Sequence, residues 1–548
     1  MILDRLKKVE TIYYFYALLL AAMVCKYFPF GIKYFLYSDD YCSFGIFHQQ
    51  RARGFAELYR HYQLYAERPL AGVTDVLVIT PLWNHMWAAL LIMILLHFFS
   101  IVFLQRVFDS CKLPWGPAAA VFFGLYPLLA ESTYWVNAAV RIVPGFFFLS
   151  LSAWLLSRFI QENKKIFLIF SIVSGVLSLG FYEQTVTLGF ALFAVMLWSN
   201  KKNIAESKRR YLFTLPFFYA CLIGVYYAVF FGGGKMAGRA AISGLGLFGQ
   251  IKAALKAVYN LFAWEHVYNL ASLADTEFRR FFGDLKTFAH MLVLFAVFSA
   301  ALAFMLFVTT KTGQKPRTEK KAALLNAGYV LFCVIFLFFS AFGPFFILRD
   351  IMIRPRNVFF CVPAAAVLVQ WLWSNAERSK KVKTVMCIAV CPVIFIFLLF
   401  NAAEVNGYKI SGGADQIVGR SIIDATASAG GYESFDRIWV FGVKYQFEPH
   451  GAVHIIPTIW SDWGLTGMIN VMADKRLITE NGFYFNPIAE WHGYKINIEP
   501  SDLLLGLDEQ MQAHVLFFDG NILRKNDSGE IFGSFAKDGD AYFFAPAN

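Results

Sequence analysis

Long apolar runs separated by short polar stretches dominate the first 400 residues of the chain. A helix needs about 20 apolar residues to cross roughly 30 Å of hydrocarbon. The pattern predicts such spans at 11–30, 82–104, 114–130, 142–157, 166–181, 185–198, 211–231, 287–308, 322–347, 358–373 and 384–401, eleven in all. Several are short, which points to tilt or a neighbouring re-entrant turn. Two loops are long, 31–81 and 232–286. Their stretches GFAELYRHYQLYAE and FGQIKAALKAVYNLFAW are amphipathic and read as helices lying on the membrane surface. After residue 401 the pattern changes. FDRIWVFGV and AHVLFFDGNILRK read as strands, and the DG and NDSGE stretches as turns. The predicted fold is an α-helical polytopic membrane protein at 1–401, followed by a small α/β domain at 402–548.

Composition agrees. Hydrophobic residues make up 58% of the 548, charged residues 16%, and mean hydropathy is +0.52. Soluble proteins have roughly 45–50% and about 25%. Sixty Phe, 26 Tyr and 13 Trp exclude a disordered chain. The net charge of +11 hides two unlike parts. Residues 402–548 hold 10 basic and 19 acidic side chains, and the other 401 hold 39 and 19. The basic excess is therefore a topology signal and not a nucleic-acid footprint. The stretches 1–10, 105–113, 157–165, 199–210, 309–321 and 374–383 carry 22 Lys and Arg in 63 residues. The segments 31–81, 131–141, 182–184, 232–286 and 348–357 carry 16 in 130. By the positive-inside rule the first set is cytoplasmic. The N-terminus is then inside the cytoplasmic (inner) membrane, and an odd number of spans puts the C-terminal domain outside. The polar MILDRLKKVE start, with no small-residue cleavage site behind it, reads as a retained signal anchor. All eight cysteines precede residue 392, mostly in or beside apolar spans, so no disulfide framework is legible.

Polar and ionisable residues in or beside spans are costly and tend to mark function. In this topology they gather on the outer face: Asp39 and Asp40; Glu67, Arg68 and His85; Glu131, Asn137 and Arg141; Glu183; and Arg349, Asp350, Arg354 and Arg356. Asp39–Asp40 also reads as a solvated loop, and Glu67–Arg68 as a local ion pair. Glu183 is harder to dismiss. It stands in SLGFYEQTVTLG between two apolar runs, and an unpaired buried carboxylate costs several kcal/mol, so it needs a partner or a water-filled cavity. The positive-inside rule does not ask for Arg354 and Arg356 here, although either could snorkel. His48, His61, His97 and His290 lack metal-ligand spacing and read as core or interfacial. FGGGKMAGRA lacks the spacing and Ser/Thr of a phosphate loop. WSDWG is a sugar-stacking candidate or, more plainly, core. A carboxylate can take a proton from a hydroxyl, and arginines can hold a phosphate in a bidentate grip. Together at headgroup depth they suit group transfer from a lipid phosphate. Outside the cytoplasm the usual activated sugar is one linked to a polyprenyl phosphate.

These motifs resemble the GT-C superfamily of membrane glycosyltransferases. Ser38–Asp39–Asp40 matches the acidic pair of that superfamily's first outer loop. Within it, the chain is most similar to the transmembrane O-mannosyltransferases that carry tetratricopeptide repeats, and to their bacterial relatives. ERPLAGVTDVLVITPLWNHMWAALLIMILLHFFS follows their first loop and second span. LYPLLAESTYWVNAAVRI keeps Pro127, Glu131, Trp135 and Arg141 of their third-to-fourth turn, without its histidines and with the arginine further on. YEQ at Glu183 matches a K-E turn with Tyr182 in place of lysine, and IRPRNVFFCVP loosely echoes the opening of a late span. The resemblance covers about residues 30–195 and a patch near 354–363. There are no tetratricopeptide repeats, so the protein-acceptor role of the animal family does not carry over.

The resemblance implies a polyprenyl-phosphate-linked sugar as donor, inversion at the anomeric carbon and no nucleotide. The acceptor would be a hydroxyl of a surface polysaccharide, glycolipid or protein. Asp39 would be the general base, with Asp40 second. Arg141, Arg354 and Arg356 would bind the donor phosphate, and Glu67, Arg68, Glu131 and Glu183 would orient sugar or acceptor. The resemblance leaves the cofactor open between none and a divalent cation (Mg or Mn), since some GT-C enzymes use one and others do not. Two rivals stay open. One is a polysaccharide polymerase or ligase using a diphosphate-linked carrier. The other is a lipid-linked sugar flippase or transporter, which predicts charges along a midplane path and internal pseudo-repeats.

Overall fold

The structure is a computed structural model. It describes residues 2–61, 68–202, 204, 212, 221, 224–225, 246–309, 320–347, 353–376, 380–442, 458, 462–473, 485–488, 498–519, 522–538 and 541–546. The described chain forms two compact units. One comprises 1–33, 59–74 and 85–405; the other comprises 34–58, 75–84 and 406–548. Most of loop 31–81 thus groups with the C-terminal part of the chain.

The larger unit is helical. Its main helices are Ile2–Tyr27, Met86–Ser110, Val136–Glu162, Lys165–Leu179, Gln184–Ser199, Gly246–Asn260, Leu285–Thr309, Lys320–Ser340 and Val362–Ala376, plus the first part of Lys380–Ser428. Among the described residues four helical stretches are long and apolar enough to cross a membrane: Pro69–Ser110, Val136–Glu162, Leu285–Thr309 and Lys381–Ser428. Shorter apolar helices lie at Thr11–Tyr27, Lys165–Leu179, Gln184–Ser199 and Leu324–Ser340. The expected span 211–231 lies almost wholly outside the described residues. The expected span 114–130 is a helix only over Pro117–Leu125. Nine residues rise about 13 Å, too little to cross. Pro117 opens that helix, and Tyr126 leaves the helical region at ψ 128° because Pro127 follows it.

Lys165–Leu179 turns small residues inward and large apolar ones outward. Ser171, Ser174, Gly175 and Ser178 face inward, while Ile169, Phe170, Val173 and Val176 are exposed. Small residues let backbones approach closely where the surroundings are as apolar as leucine. Ser152 Oγ donates to the Ser171 carbonyl at 2.6 Å, and Ser171 Oγ donates to the Ser152 carbonyl at 2.8 Å. The core next to this pair of helices is aromatic. Phe123, Phe146 and Phe359 pack edge to face and tilted around one another, with His97 against Phe123 and Phe359.

The second unit carries a seven-stranded sheet of β1 (Arg437–Phe441), β2 (Phe485–Ile488), β3 (Asp502–Leu507), β4 (Ala513–Asp519), β5 (Ile522–Lys525), β6 (Ile531–Asp538) and β7 (Ala541–Pro546). The order is β2-β1-β3-β4-β5-β6-β7. β1 runs parallel to β2 and β3, and every later pairing is antiparallel. Ile438 and Val440 of β1 and Leu503 and Leu505 of β3 pack with Val418 and Ile422 of helix Lys380–Ser428 and with Leu465, Met468 and Ile469 of helix Asp462–Met472. Tyr41 joins the same core. Gly467 makes that closeness tolerable. A Cβ there would sit 3.2 Å from the backbone N and Cα of Cys42 and 2.5 Å from its Sγ.

Candidate functional site

The helical unit and the sheet-bearing unit each hold a set of the expected site residues.

In the helical unit, two ion pairs flank Tyr182. Arg68 just precedes the helix Pro69–Thr74, and Glu183 is the residue before helix Gln184–Ser199. Arg68 donates to Glu183 from Nε to Oε2 at 3.1 Å and from Nη2 to Oε1 at 2.7 Å, a bidentate fork. The guanidinium carbon of Arg68 also lies 4.5 Å from the centre of the Tyr182 ring. The partner that Glu183 required is therefore Arg68. Glu67 lies outside the described residues, as do Arg349 and Asp350.

The second pair joins Glu131, in the short helix Ala130–Thr133, to Arg356, in the 3-10 turn Pro355–Phe360. The Arg356 backbone N–H donates to Oε2 at 3.1 Å and its Nη1 donates to Oε1 at 2.9 Å. Burial works against the charge of Arg356. The Glu131 carboxylate, with the Tyr182 phenol, reverses this and holds the guanidinium above its ordinary value. Asn357 ties the two pairs together. Its Nδ2 donates to the Tyr182 hydroxyl at 3.2 Å and to Gln184 Oε1 at 2.7 Å, and its Oδ1 accepts from the Arg354 backbone N–H at 2.7 Å. The Tyr182 ring stacks on Phe360, 5.6 Å between centres. Gln184 and Asn357 were not singled out from the sequence, and Tyr182 only as the residue in place of a lysine. Only their flanking positions beside Glu183 and Arg356 pointed to them.

Two arginines expected at the phosphate behave differently. The Arg354 side chain is exposed and makes no ion pair among the described residues. Arg141 does not lie in a turn. The helix begins at Val136, and Arg141 Nη1 binds back to the Asn137 side chain at 2.8 Å and to the Asn137 carbonyl. Both are contacts one helical turn away, so the expectation of a turn arginine is corrected.

Further ionisable groups are buried in this unit, among them Lys26, His97, His266, Glu277, Lys383 and Glu404. Glu404 Oε2 accepts from the backbone N–H of Leu128, a residue held at φ 62°. Lys26 Nζ lies 4.4 Å from the Tyr27 ring centre and has no hydrogen-bond partner among the described residues. Lys26 and Glu404 stand near the edges of apolar runs, where the sequence offers a bland reading. His97 is core, as its lack of metal-ligand spacing suggested. His48 Nδ1 lies 3.2 Å from the Thr80 carbonyl in the other unit.

In the sheet-bearing unit, Ser38, Asp39 and Asp40 form one turn. Ser38 sits at φ 44°, a left-handed conformation that a residue with a Cβ adopts at a cost. Its backbone N–H donates to Thr458 Oγ1 at 2.9 Å, and Thr458 Oγ1 donates to the buried Asp415 at 2.5 Å. The two acidic residues then separate in character. Asp40 is fully buried, and its Oδ2 accepts from the Tyr34 hydroxyl at 2.5 Å and from the Tyr37 N–H at 3.1 Å. Asp39 is partly exposed, with Ser38 Oγ 3.4 Å from its Oδ1. Asp40 holds the turn, and Asp39 is the one reachable from outside. Asp415 and Thr458 had no signal in the sequence, since they join the turn across more than 370 residues.

Compared with known protein families, curated proteins and solved structures, the chain matches none.

Among the described residues no group of three His, Cys, Asp or Glu side chains is gathered as a metal site. Asp40 Oδ2 is already taken by two donors. Among the described residues the acidic pair gathers no third Asp, Glu, His or Cys side chain as a metal site.

Proposed function

We propose that this protein is an integral-membrane glycosyltransferase of GT-C type. It moves a sugar from a polyprenyl-phosphate carrier to an acceptor hydroxyl on the outer face of the cytoplasmic membrane, within a helical module of about eleven spans. One observation carries the reading. Arg68, Glu131, Glu183 and Arg356 come from four separate turns that the sequence assigns to one membrane face, and they meet around Tyr182. Fixed charges gathered at one interface suit a reaction in which charge moves, because they need no reorganisation at that moment.

In this reading the acceptor O–H gives its proton to the Asp39 carboxylate. The acceptor oxygen attacks the anomeric carbon, the bond from that carbon to the phosphate oxygen breaks, and the carrier leaves as polyprenyl phosphate. Of the three arginines expected at the phosphate, Arg354 pairs with no carboxylate among the described residues and is the one assigned to it. Arg356 and Arg68 are matched by Glu131 and Glu183 and act on position and field. The test is Asp39→Asn, which keeps shape and removes basicity. Turnover should fall about 10²–10⁴-fold, the usual share of general-base catalysis, with donor binding retained. Unchanged transfer would remove Asp39 from the mechanism.

A transporter of the lipid-linked sugar is the second reading. It is favoured by the buried Lys26, His97 and Glu404, since ionisable groups inside membrane bundles also mark transport paths.

A further inference from the structure

An open groove of about 500 Å³ lies within the sheet-bearing unit, beside the turn that carries Asp39. One wall is helix Lys380–Ser428, which presents Gln416, Arg420 and Asp424. They are spaced four residues apart, so they rise about 6 Å each along one helix face. All three are exposed. The opposite side is apolar and includes Leu36 and Met472, and Tyr41 lines the groove as well.

Arg420 and Asp424 are the informative pair. They stand at i and i+4 with the arginine first, the order that supports a helix less well. No ion pair joins them among the described residues. The helix therefore does not use them on each other, and both remain able to bind a ligand. Their opposite charges leave little net field for an anion or a cation. A neutral molecule bearing both donors and acceptors fits better. It can donate to Asp424, accept from Arg420 and Gln416, and lay its C–H face on Leu36 and Met472. The volume falls within the roughly 300–1,000 Å³ of small-ligand sites.

We propose that this groove binds a neutral saccharide, the acceptor of the transfer. The identity of the occupant as acceptor rests on the glycosyltransferase reading; the binding itself does not. The test uses the full chain in nanodiscs on an array of neutral, uronate-bearing, sialylated and phosphorylated glycans. Neutral glycans should bind. Arg420→Ala and Asp424→Ala should each weaken that binding by about tenfold or more, as loss of a hydrogen bond to a charged group does. Arg420→Lys should recover part of it. Binding restricted to acidic glycans, no glycan binding, or binding indifferent to both alanine variants would overturn the proposal. Release of carrier phosphate without glycan binding would reject the groove alone. Glycan binding without any donor cleavage would reject the transferase reading alone.

Discussion

Arg356 grips Glu131 twice, once from its backbone N–H at 3.1 Å and once from its guanidinium at 2.9 Å. The backbone contact matters as much as the charge. It fixes where the turn Pro355–Phe360 starts, and hence where Asn357 meets Tyr182 and Gln184.

Glu131→Ala removes both contacts and leaves the Arg356 charge uncompensated. The Arg356 side chain is 31% exposed, so water screens part of the loss. The expected cost is about 1–3 kcal/mol, read from thermal unfolding in detergent. Glu131→Gln keeps an acceptor for the backbone N–H and should cost less. Equal loss in the two variants would show that only the charge matters.

The Arg68–Glu183 fork is expected to be coupled. Single substitutions to methionine and glutamine, and their combination, form a double-mutant cycle. An interaction energy of at least about 1 kcal/mol is expected for a bidentate pair that is less than one-third exposed. A coupling near zero would make the pair ornamental and remove it from the network around Tyr182.

Thr458 is a positioning residue for the acidic turn. Thr458→Val deletes the oxygen that accepts from the Ser38 N–H and the hydroxyl that donates to Asp415. Transfer should slow at least about tenfold through kcat, as misplacement of a reacting group does, with donor KM little changed. Thr458→Ser keeps the hydroxyl and should restore the rate. A serine variant as slow as the valine one would mean that packing, and not this hydrogen-bond relay, is what Thr458 supplies.

Much of the helical unit was legible because each apolar run is continuous and bounded by charge. Helix Leu285–Thr309 nearly coincides with the expected 287–308. Of the eleven expected spans, only four described helices are long and apolar enough to cross a membrane; the break within 114–130 follows from Pro127, whose effect on Tyr126 is local and could have been weighed. The need of Glu183 for a partner was also legible, because burial energetics demand one whatever the fold. That the partner is Arg68 was not, since 115 residues separate them. The same holds more strongly for Asp40 and Ser38. The SDD motif marked them, but only the structure assigns burial to Asp40 and exposure to Asp39. Long-range pairings with Thr458 and Asp415 decide that difference, and no periodicity announces them. In the tail, β1, β4 and β5 fell where alternation and turns put them. The parallel insertion of β1 between β2 and β3 depends on chain crossovers that strand propensity does not encode.

The orientation proposed from charge is open to direct labelling. Tags at 203, 315 and 378 should be reached only from the cytoplasm, and a tag at 548 only from outside. A cytoplasmic tag at 548 would move Asp39 or the arginine turns off the common face.

The most direct measurement is release of free polyprenyl phosphate from a polyprenyl-phosphate-linked sugar by the purified chain in nanodiscs, with and without acceptor glycan. The account predicts one carrier phosphate freed for each sugar transferred. It also predicts that Arg354→Lys, which keeps the charge and loses the guanidinium fork, slows release more than it weakens donor binding. Movement of the intact lipid-linked sugar between leaflets, with no phosphate ever released, would contradict it.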